Sequence, residues 1–278
     1  MISREQANAC EEIVRTYDHD RWLACLLAPE TSRAGLFALY AFSSEIARIR
    51  ETVTQPTLGE MRLVWWREAI DGARAAEAAS HPVAGAVLAL IAGLKLPAHA
   101  FTGLIEARRF DLYDDPVPSL AFLEGYAGET SSALFRLASL ILMDGRDPGA
   151  AAAAGNAGVA YALAGLLRAL PWLSAQCRCY VPADLLARHG LTPADVTARR
   201  DTPELRAALA DLRVHARLRF DEARAGLPDL APDARPAFAA LGLVPLYLKA
   251  MGRPDYEPFR TVIEAPQWRR QWAMWRGV

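Results

Sequence analysis

The chain consists almost entirely of helix-forming segments separated by short turn signals, and this pattern restricts its fold more than any other feature. Ala, Leu, Arg and Glu dominate the segments, runs of β-branched residues are short, and turn signals recur about every 15 to 25 residues. The pattern predicts an all-α protein of about ten helices. We expect these helices near residues 3–17, 32–52, 57–79, 82–94, 97–112, 118–142, 149–170, 203–225, 235–250 and 260–276.

Proline and glycine mark the ends of the predicted helices. A proline costs nothing at the first position of a helix, where its missing amide proton has no partner, and glycine is favoured just after a helix ends. Prolines at such beginnings are Pro56, Pro82, Pro97, Pro118 and Pro148, and glycines at such ends are Gly145, Gly190 and Gly226. No repeat of fixed period and no shift in composition divides the chain, so residues 1–278 are predicted to form one domain.

Charge and cysteine content restrict the class of protein. The 31 basic and 32 acidic residues give a formal net charge of -1, which argues against a nucleic-acid-binding protein. Four cysteines are too few for a disulfide framework, and the pair Cys177 and Cys179 lacks the second pair that a zinc site needs. The first ten residues lack the apolar core of a signal peptide. We therefore expect a reduced, cytoplasmic protein without a bound metal.

Residues 148–167 carry no charged side chain and are long enough to be tested as a membrane span. The segment consists mostly of Ala and Gly, with Asn156 near its centre, and these residues contribute little to membrane insertion. A buried helix whose small residues let neighbouring helices approach closely is the better interpretation. No transmembrane helix is predicted.

Several motifs, in order along the chain, resemble those of the squalene/phytoene synthase family. The first is Tyr40-Ala-Phe42, which precedes an Asp-rich cluster in that family. Others are Arg62-Leu-Val-Trp-Trp-Arg67, His81-Pro-Val83, Leu96-Pro97, Phe110-Asp-Leu112, the segment from Gly155 to Arg168, and Tyr180-Val-Pro182. Each motif alone is weak, but their order and spacing are specific, and the match covers about residues 18 to 250. The resemblance implies an all-α, isoprenoid-synthase-type helical bundle around a deep, apolar central cavity.

The same resemblance implies a reaction that this chain lacks the residues to perform. The family joins two allylic diphosphates head to head, using Mg²⁺ held by carboxylates on two facing helices to neutralise the leaving pyrophosphate. The first cluster corresponds here to Ala47, Arg48 and Glu51. The second retains Arg168, but its carboxylate positions have become Ala169, Trp172 and Leu173. Both metal sites therefore look abolished. Pro171 is also expected to break or kink its helix, because it removes an amide donor and clashes with the Leu167 carbonyl.

One branch of the family resembles the chain more closely than the synthases do. The mitochondrial complex I assembly factor of squalene/phytoene synthase type has similar sequences at Ala41-Phe-Ser-Ser-Glu-Ile-Ala47, Met61-Arg62 and Tyr126-Ala-Gly-Glu-Thr-Ser-Ser132. Its altered second motif also resembles Leu167-Arg-Ala-Leu-Pro171. This last match is the most specific, since a particular sequence replaces a catalytic motif.

The remaining cationic and aromatic residues of these motifs are candidates for a ligand cavity. The candidates are Arg33, Tyr40, Arg48, Glu51, Arg168 and Tyr180. For Arg48 we favour an ion pair with Glu45 or Glu51 on its own helix. The alternative is that Arg33, Arg48 and Arg168 converge on a phosphate group without a metal. Asp111, Asp114 and Asp115 beside Pro116 are expected to form a solvated turn.

The C-terminal segment carries three tryptophans in a helical stripe. Trp268, Trp272 and Trp275 are spaced i, i+4 and i+7, and arginines flank them. This composition is typical of a segment at a membrane interface, where indole rings lie at head-group depth and cations meet anionic lipid. The alternative is that the stripe packs back on the bundle.

These observations favour a non-catalytic member of the family that assists assembly of NADH:ubiquinone oxidoreductase (complex I). By the resemblance, its partners would be complex I subunits or assembly intermediates, with peripheral contact at the inner face of the membrane and an isoprenoid or lipid as a ligand. Two alternatives remain. One is a prenyl transferase of squalene or phytoene synthase type, which would need Mg²⁺; the other is a carrier of an apolar ligand. We expect no cofactor unless the enzyme alternative holds.

Overall fold

The computed structural model describes residues 2–277 and contains no β-strand in that range. The predicted all-α fold is confirmed. The α-helices are α1 (Arg4–Tyr17), α2 (His19–Cys25), α3 (Glu30–Ala47), α4 (Ile49–Thr52), α5 (Pro56–Ile70), α6 (Ala75–Ser80), α7 (Pro82–Leu94), α8 (Ala98–Arg108), α9 (Leu120–Ala127), α10 (Ala133–Leu142), α11 (Ala151–Ala175), α12 (Ala183–Arg188), α13 (Pro193–Thr197), α14 (Pro203–Gly226), α15 (Leu243–Met251) and α16 (Gln267–Gly277). Three 3₁₀ segments, Arg109–Leu112, Leu227–Asp229 and Pro232–Gly242, and a π-helical turn, Gly128–Ser132, lie between them.

Local signals explain where several of these helices begin. Ser3 and Gln6 form a capping box at the start of α1, so that each side chain accepts a backbone amide proton of the other residue. His81 caps α7 through its ring and Thr202 caps α14 through its hydroxyl, each followed by a proline at the first helical position. These starts agree with the positions expected from the sequence.

Helix continuity differs from the sequence-based expectation in four places. The helix expected over 57–79 is divided into α5 and α6 by a turn at residues 71–74. The helix expected over 32–52 is interrupted at Arg48, and the one expected over 235–250 begins as the 3₁₀ segment Pro232–Gly242. The break or kink expected at Pro171 is not a break, because α11 continues to Ala175. Proline removes only one backbone hydrogen bond there, and α11 packs along α14 over much of its length. The short helices α2, α12 and α13 were not expected, since five to seven residues show no clear periodicity.

The interior is filled by apolar side chains from all parts of the chain. Helix α1 packs on α3 and α7, α10 packs on α3 and α11, and α16 covers the segment Pro232–Gly242. Phe42 is completely buried and makes edge-to-face contacts with Phe101 and Trp66, at centroid distances of 5.4 and 5.3 Å. Helix α11 is long and apolar enough to cross a membrane by length and composition, but more than half of its most apolar stretch is buried in the bundle. A buried helix of a folded bundle has the same properties.

The backbones of α11 and the π-helical turn approach each other closely at Gly158. A Cβ atom on Gly158 would overlap the backbone of Ser132, whose hydroxyl donates a hydrogen bond to the Gly155 carbonyl at 2.7 Å. Only glycine at residue 158 therefore allows α11 to lie this close to the π-helical turn at Ser132.

We predict that Gly158→Ala lowers the free energy of unfolding by about 3 kcal/mol, because one helix must move away from the other. The matched control is Gly165→Ala on the same helix, where an added Cβ meets nothing within 4 Å. This control should raise the free energy of unfolding by about 0.5 to 1 kcal/mol, because alanine favours the helix over glycine. Urea unfolding followed by circular dichroism measures both. Equal midpoints for the two variants would contradict the prediction.

Candidate functional site

The helix that carries the second motif lines a cavity of about 410 Å³, here called the second-motif cavity. Its wall includes Ala164, Arg168, Ala169 and Trp172 of α11, together with residues of α2, α15 and α16. The resemblance implied a deep, apolar central cavity, but charged side chains line much of this one. They are Asp18, Asp20, Arg168, Glu264 and Arg270.

A buried carboxylate, Asp20, organises the second-motif cavity. Its Oδ2 accepts hydrogen bonds from the Tyr247 hydroxyl at 2.6 Å and from Arg168 Nη1 at 3.0 Å. Its Oδ1 accepts one from Arg270 Nη1 at 2.9 Å. The Arg168 guanidinium also lies over the Tyr247 ring, 4.4 Å from its centroid. Asp20 therefore ties together α2, α11, α15 and α16.

These contacts keep Asp20 ionised although its residue is only 6% exposed. Burial alone would raise the pKa of its carboxyl group. The hydrogen bond from Tyr247 and the positive charges of Arg168 and Arg270 outweigh burial and hold that pKa below its ordinary value. The cavity therefore contains an anion that belongs to the protein itself.

The side chains around Asp20 do not fit a magnesium site. Two guanidinium groups already occupy both oxygens of Asp20, and Asp18 pairs with Arg21 at 2.9 Å. Mg²⁺ prefers several oxygen ligands that are not engaged with cations. Within residues 2–277, no three His, Cys, Asp or Glu side chains form a group that could hold a metal ion. At the former ligand positions, Ala169 and Trp172 line the cavity, and Leu173 packs against the core.

Of the first-motif positions Ala47, Arg48 and Glu51, only Arg48 lines a cavity, and it is a different one. A cavity of about 370 Å³, here called the first-motif cavity, is lined by Glu45, Arg48, Arg62, Trp65, Trp66 and His81 together with Ile49 and Thr52. Tyr17 belongs to the wall of the second-motif cavity, and its ring stacks on the Arg48 guanidinium at 3.4 Å. This stacked pair lies between the two cavities.

The structure shows the ion pair favoured for Arg48 and not the three-arginine site. Arg48 Nε lies 3.7 Å from Glu51 Oε2, and Ala47, at the end of α3, is half-buried. Arg33 donates hydrogen bonds to the carbonyl groups of Ala28 and Leu26, at 3.0 and 3.1 Å, and so caps the end of α2. The alternative in which Arg33, Arg48 and Arg168 converge on one phosphate is therefore wrong, because each has a separate partner.

Tyr40 and Tyr180 belong to two other clusters. Tyr40 is buried beneath the Arg21 guanidinium, 5.2 Å from its ring centroid. Tyr180 donates a hydrogen bond to Asp111 Oδ1 at 2.6 Å, and burial raises the pKa of its hydroxyl. Neither tyrosine lines the second-motif or the first-motif cavity.

Asp111 is a second buried carboxylate with several hydrogen-bond donors. Besides Tyr180, the Tyr126 hydroxyl donates to it at 2.9 Å and Arg108 Nη1 at 2.9 Å. Arg178 lies 3.9 Å away. The expectation of a solvated acidic turn is wrong for Asp111, which is only 5% exposed, but holds for the exposed Asp114 and Asp115. The retained family position of Asp111 was the sequence signal that distinguished it.

Helix α16 is attached to the bundle by the face opposite its tryptophans. Met274 is completely buried, Arg270 reaches Asp20, and the backbone at Ala273 lies against Gly242. The indoles of Trp268, Trp272 and Trp275 are 67%, 55% and 63% exposed. The alternative in which this stripe packs back on the bundle is therefore wrong. The stripe was visible in the sequence, but Asp20, to which the helix is anchored, carried no local signal.

Comparison with known proteins agrees with this arrangement. The model of the squalene/phytoene synthase family matches residues 14–276. The protein named NADH dehydrogenase (ubiquinone) complex I, assembly factor 6, from Bos taurus is 29% identical over 255 residues, which cover 92% of this chain and 76% of that protein. A phytoene synthase from Thermus thermophilus is 29% identical over 223 residues, which cover 78% of this chain and 73% of that synthase.

Solved structures with the same fold are squalene-forming enzymes and their relatives. The squalene synthase HpnC from Alicyclobacillus acidocaldarius superposes with a TM-score of 0.77 at 25% identity, over 92% of this chain and 96% of that one. A dehydrosqualene synthase in complex with a ligand superposes with a TM-score of 0.81 at 16% identity, over 99% and 95% of the two chains. The isoprenoid-synthase-type architecture is thus confirmed.

We predict that Asp20→Asn lowers the free energy of unfolding by about 3 kcal/mol, because it leaves the guanidinium groups of Arg168 and Arg270 without their carboxylate. The pKa of Asp20 is lowered from 3.8, so its contribution is present above that pH and is lost as the pH falls below it. The difference between wild type and variant should therefore be full at about pH 6 and shrink in acid.

The control for this prediction is Asp115→Asn, which removes the same charge from an exposed loop. It should change the free energy of unfolding by less than about 0.5 kcal/mol. Chemical unfolding at several pH values measures both variants. A stability difference for Asp20→Asn that grows as the pH falls would contradict the assigned direction of the pKa shift.

Proposed function

We propose that this chain, which belongs to the squalene/phytoene synthase family, assists the assembly of NADH:ubiquinone oxidoreductase and does not catalyse prenyl transfer. The observation that carries the proposal is the state of the second motif. Its surviving Arg168 is paired with the internal carboxylate Asp20, and its ligand positions hold Ala169, Trp172 and Leu173. Without Mg²⁺ to stabilise the leaving pyrophosphate, ionisation of an allylic diphosphate would be slower by many orders of magnitude.

The assembly role is supported by relatives that share most of the chain. Proteins named complex I assembly factor 6 from Bos taurus and Homo sapiens match 92% of it. Complex I subunits or their assembly intermediates are therefore the partners we propose. The similarity to a phytoene synthase supports the enzyme alternative less well, because it does not restore the missing carboxylates. A carrier of an apolar ligand fits poorly with the charged wall of the second-motif cavity.

We propose a cytoplasmic location with peripheral contact at the inner face of the membrane, made by α16. Three largely exposed indoles on one helix form an apolar patch of a kind that monomeric soluble proteins rarely expose. Arg269 and Arg276 lie beside Trp268 and Trp272, at 6.0 and 5.9 Å from the ring centroids. Indole and guanidinium groups together suit the head-group region of an anionic membrane.

Deletion of the gene should lower the amount of assembled NADH:ubiquinone oxidoreductase and leave carotenoid and hopanoid contents unchanged. Native gel electrophoresis with an NADH activity stain measures the first, and lipid extraction measures the second. The deletion strain complemented with the wild-type gene serves as the control. A loss of isoprenoid product with normal oxidoreductase would favour the prenyl transferase alternative.

The purified protein gives the complementary test of the absent reaction. It should not convert farnesyl or geranylgeranyl diphosphate in the presence of Mg²⁺, whereas the phytoene synthase from Thermus thermophilus serves as the positive control for the assay. Turnover that requires Mg²⁺ and disappears in Glu51→Ala would overturn the non-catalytic assignment.

We predict that replacing Trp268, Trp272 and Trp275 together by serine weakens binding to vesicles of phosphatidylglycerol and phosphatidylcholine at least tenfold, because the apolar patch is removed. The bundle should stay folded, since the anchoring residues Arg270 and Met274 are retained. Vesicle co-sedimentation measures binding.

The matched control removes exposed apolar surface elsewhere. Val214 and Leu218 on α14 are 69% and 52% exposed, and their replacement by serine should leave vesicle binding unchanged. Binding should also fall with added salt and with vesicles of phosphatidylcholine alone, because the arginines interact with anionic lipid. Equal binding by the tryptophan variant and the wild type would reject membrane contact through α16.

A further inference from the structure

We propose that the first-motif cavity binds a small anion that carries an apolar group, with the anion held between Arg48 and Arg62 and the apolar part against Trp65 and Trp66. The anionic group is a phosphate, a sulfate or a carboxylate, and no metal takes part. The proposal does not depend on the assembly role. It rests on a cavity whose cations, indoles and half-buried acid, Glu45, are separate from the Asp20 cluster.

The two arginines have donors left for a ligand. Arg62 donates to the Thr52 hydroxyl at 2.6 Å and makes no ion pair with any residue in the range 2–277. Arg48 has only the long contact to Glu51, at 3.7 Å, and the Tyr17 ring fixes the plane of its guanidinium group. Guanidinium groups bind phosphate, sulfate and carboxylate oxygens in pairs of parallel hydrogen bonds. By contrast, Arg168 and Arg270 are already paired with Asp20.

Glu45, the acid in the cavity, is only partly ionised near neutral pH, so much of the positive charge of Arg48 and Arg62 is not neutralised. Burial raises the pKa of Glu45 to about 7, although Arg48 opposes the shift. His81 Nδ1 accepts the Ala84 amide proton at 3.3 Å, so neutral His81 carries its proton on Nε2, which lies 3.6 Å from Glu45 Oε2. Burial lowers the pKa of His81, so that ring is neutral at pH 7.

The indoles form a fixed apolar wall beside the arginines. Trp66 is buried and lies edge-to-face with Trp65, at a centroid distance of 5.2 Å and an angle of 86°. Trp65 Nε1 donates to Glu77 Oε2 at 2.9 Å, and both rings lie 5.4 Å from the His81 ring. Rings held in this way present a preformed surface to an apolar substituent, which favours a substituted anion over a bare one.

Binding in this cavity should be coupled to the protonation of Glu45. The groups next to Glu45 are Cys10 on α1, Arg48 after α3 and His81 before α7, and Arg62 on α5 lines the same cavity. Burial raises the pKa of the Cys10 thiol to about 12, so it stays neutral. An anion therefore binds best when Glu45 is protonated, and ionisation of Glu45 above pH 7 weakens binding by charge repulsion.

The test is calorimetric titration of the full chain with phenyl sulfate, whose charge does not change near neutral pH. We expect saturable binding at about pH 6 that is about tenfold weaker at about pH 8, as one ionisation with a pKa of about 7 requires. Inorganic sulfate should bind more weakly than phenyl sulfate, because it makes no contact with the indoles. Phenyl phosphate and benzoate, compared at about pH 6, then show which anionic group the site prefers.

Two variants and one control make the proposal falsifiable. Arg62→Gln should weaken binding of phenyl sulfate at least tenfold, whereas Arg67→Gln, an exposed arginine on the same helix outside the cavity, should not. Glu45→Gln should keep binding at about pH 6 and lose its pH dependence. Circular dichroism confirms that each variant is folded. Absence of saturable binding at about pH 6, wild-type affinity in Arg62→Gln, or unchanged pH dependence in Glu45→Gln would each overturn the proposal.

Discussion

The buried Asp20 carboxylate connects α2 to three helices from the second half of the chain. It receives hydrogen bonds from Tyr247, Arg168 and Arg270, which lie on α15, α11 and α16. A buried carboxylate that lacked these partners would be costly, and so would two arginines that lacked the carboxylate. The positions of three helices around α2 therefore depend on one charge. This dependence explains why α16 lies on the bundle although most of its residues are polar or exposed.

The Asp20 cluster also changes the character of the family's cavity. In the synthases, the resemblance implies carboxylates on two helices that repel each other unless Mg²⁺ lies between them. In the second-motif cavity both charges are supplied by the protein, because Asp20 is paired with Arg168 and Arg270. The charged groups around Asp20 are therefore paired with one another and need neither a metal ion nor a diphosphate to neutralise them. Loss of the metal ligands and gain of internal ion pairs are thus two aspects of one change.

The sequence predicted the fold and the loss of the metal sites well, because both depend on local patterns. Helix-forming segments, prolines at helix starts and the spacing of the motifs are all visible along the chain. The Trp268, Trp272 and Trp275 stripe was also visible. The hydrogen-bonded clusters around Asp20 and Asp111 were not predicted. The partners of Asp20, for example, lie between 148 and 250 residues away in the sequence. No local pattern indicates which arginine a given carboxylate will meet. The failure at Arg33 has a related cause, since its hydrogen bonds go to Leu26 and Ala28 in the turn after α2, a turn that shows no periodicity.

Helix α16 shows how one long-range contact decides what a local pattern means. Arg270, Met274 and Gly277 repeat at i, i+4 and i+7, and so do Trp268, Trp272 and Trp275. The two sets are offset by two positions, or about 200° around a helix, so they lie on opposite faces. Either face could contact the bundle by its spacing alone, and the larger apolar area is on the tryptophan face. The ion pair between Arg270 and Asp20 and the close approach at Gly242 select the other face. The tryptophans are therefore exposed because a buried charge holds the helix in the orientation that exposes them.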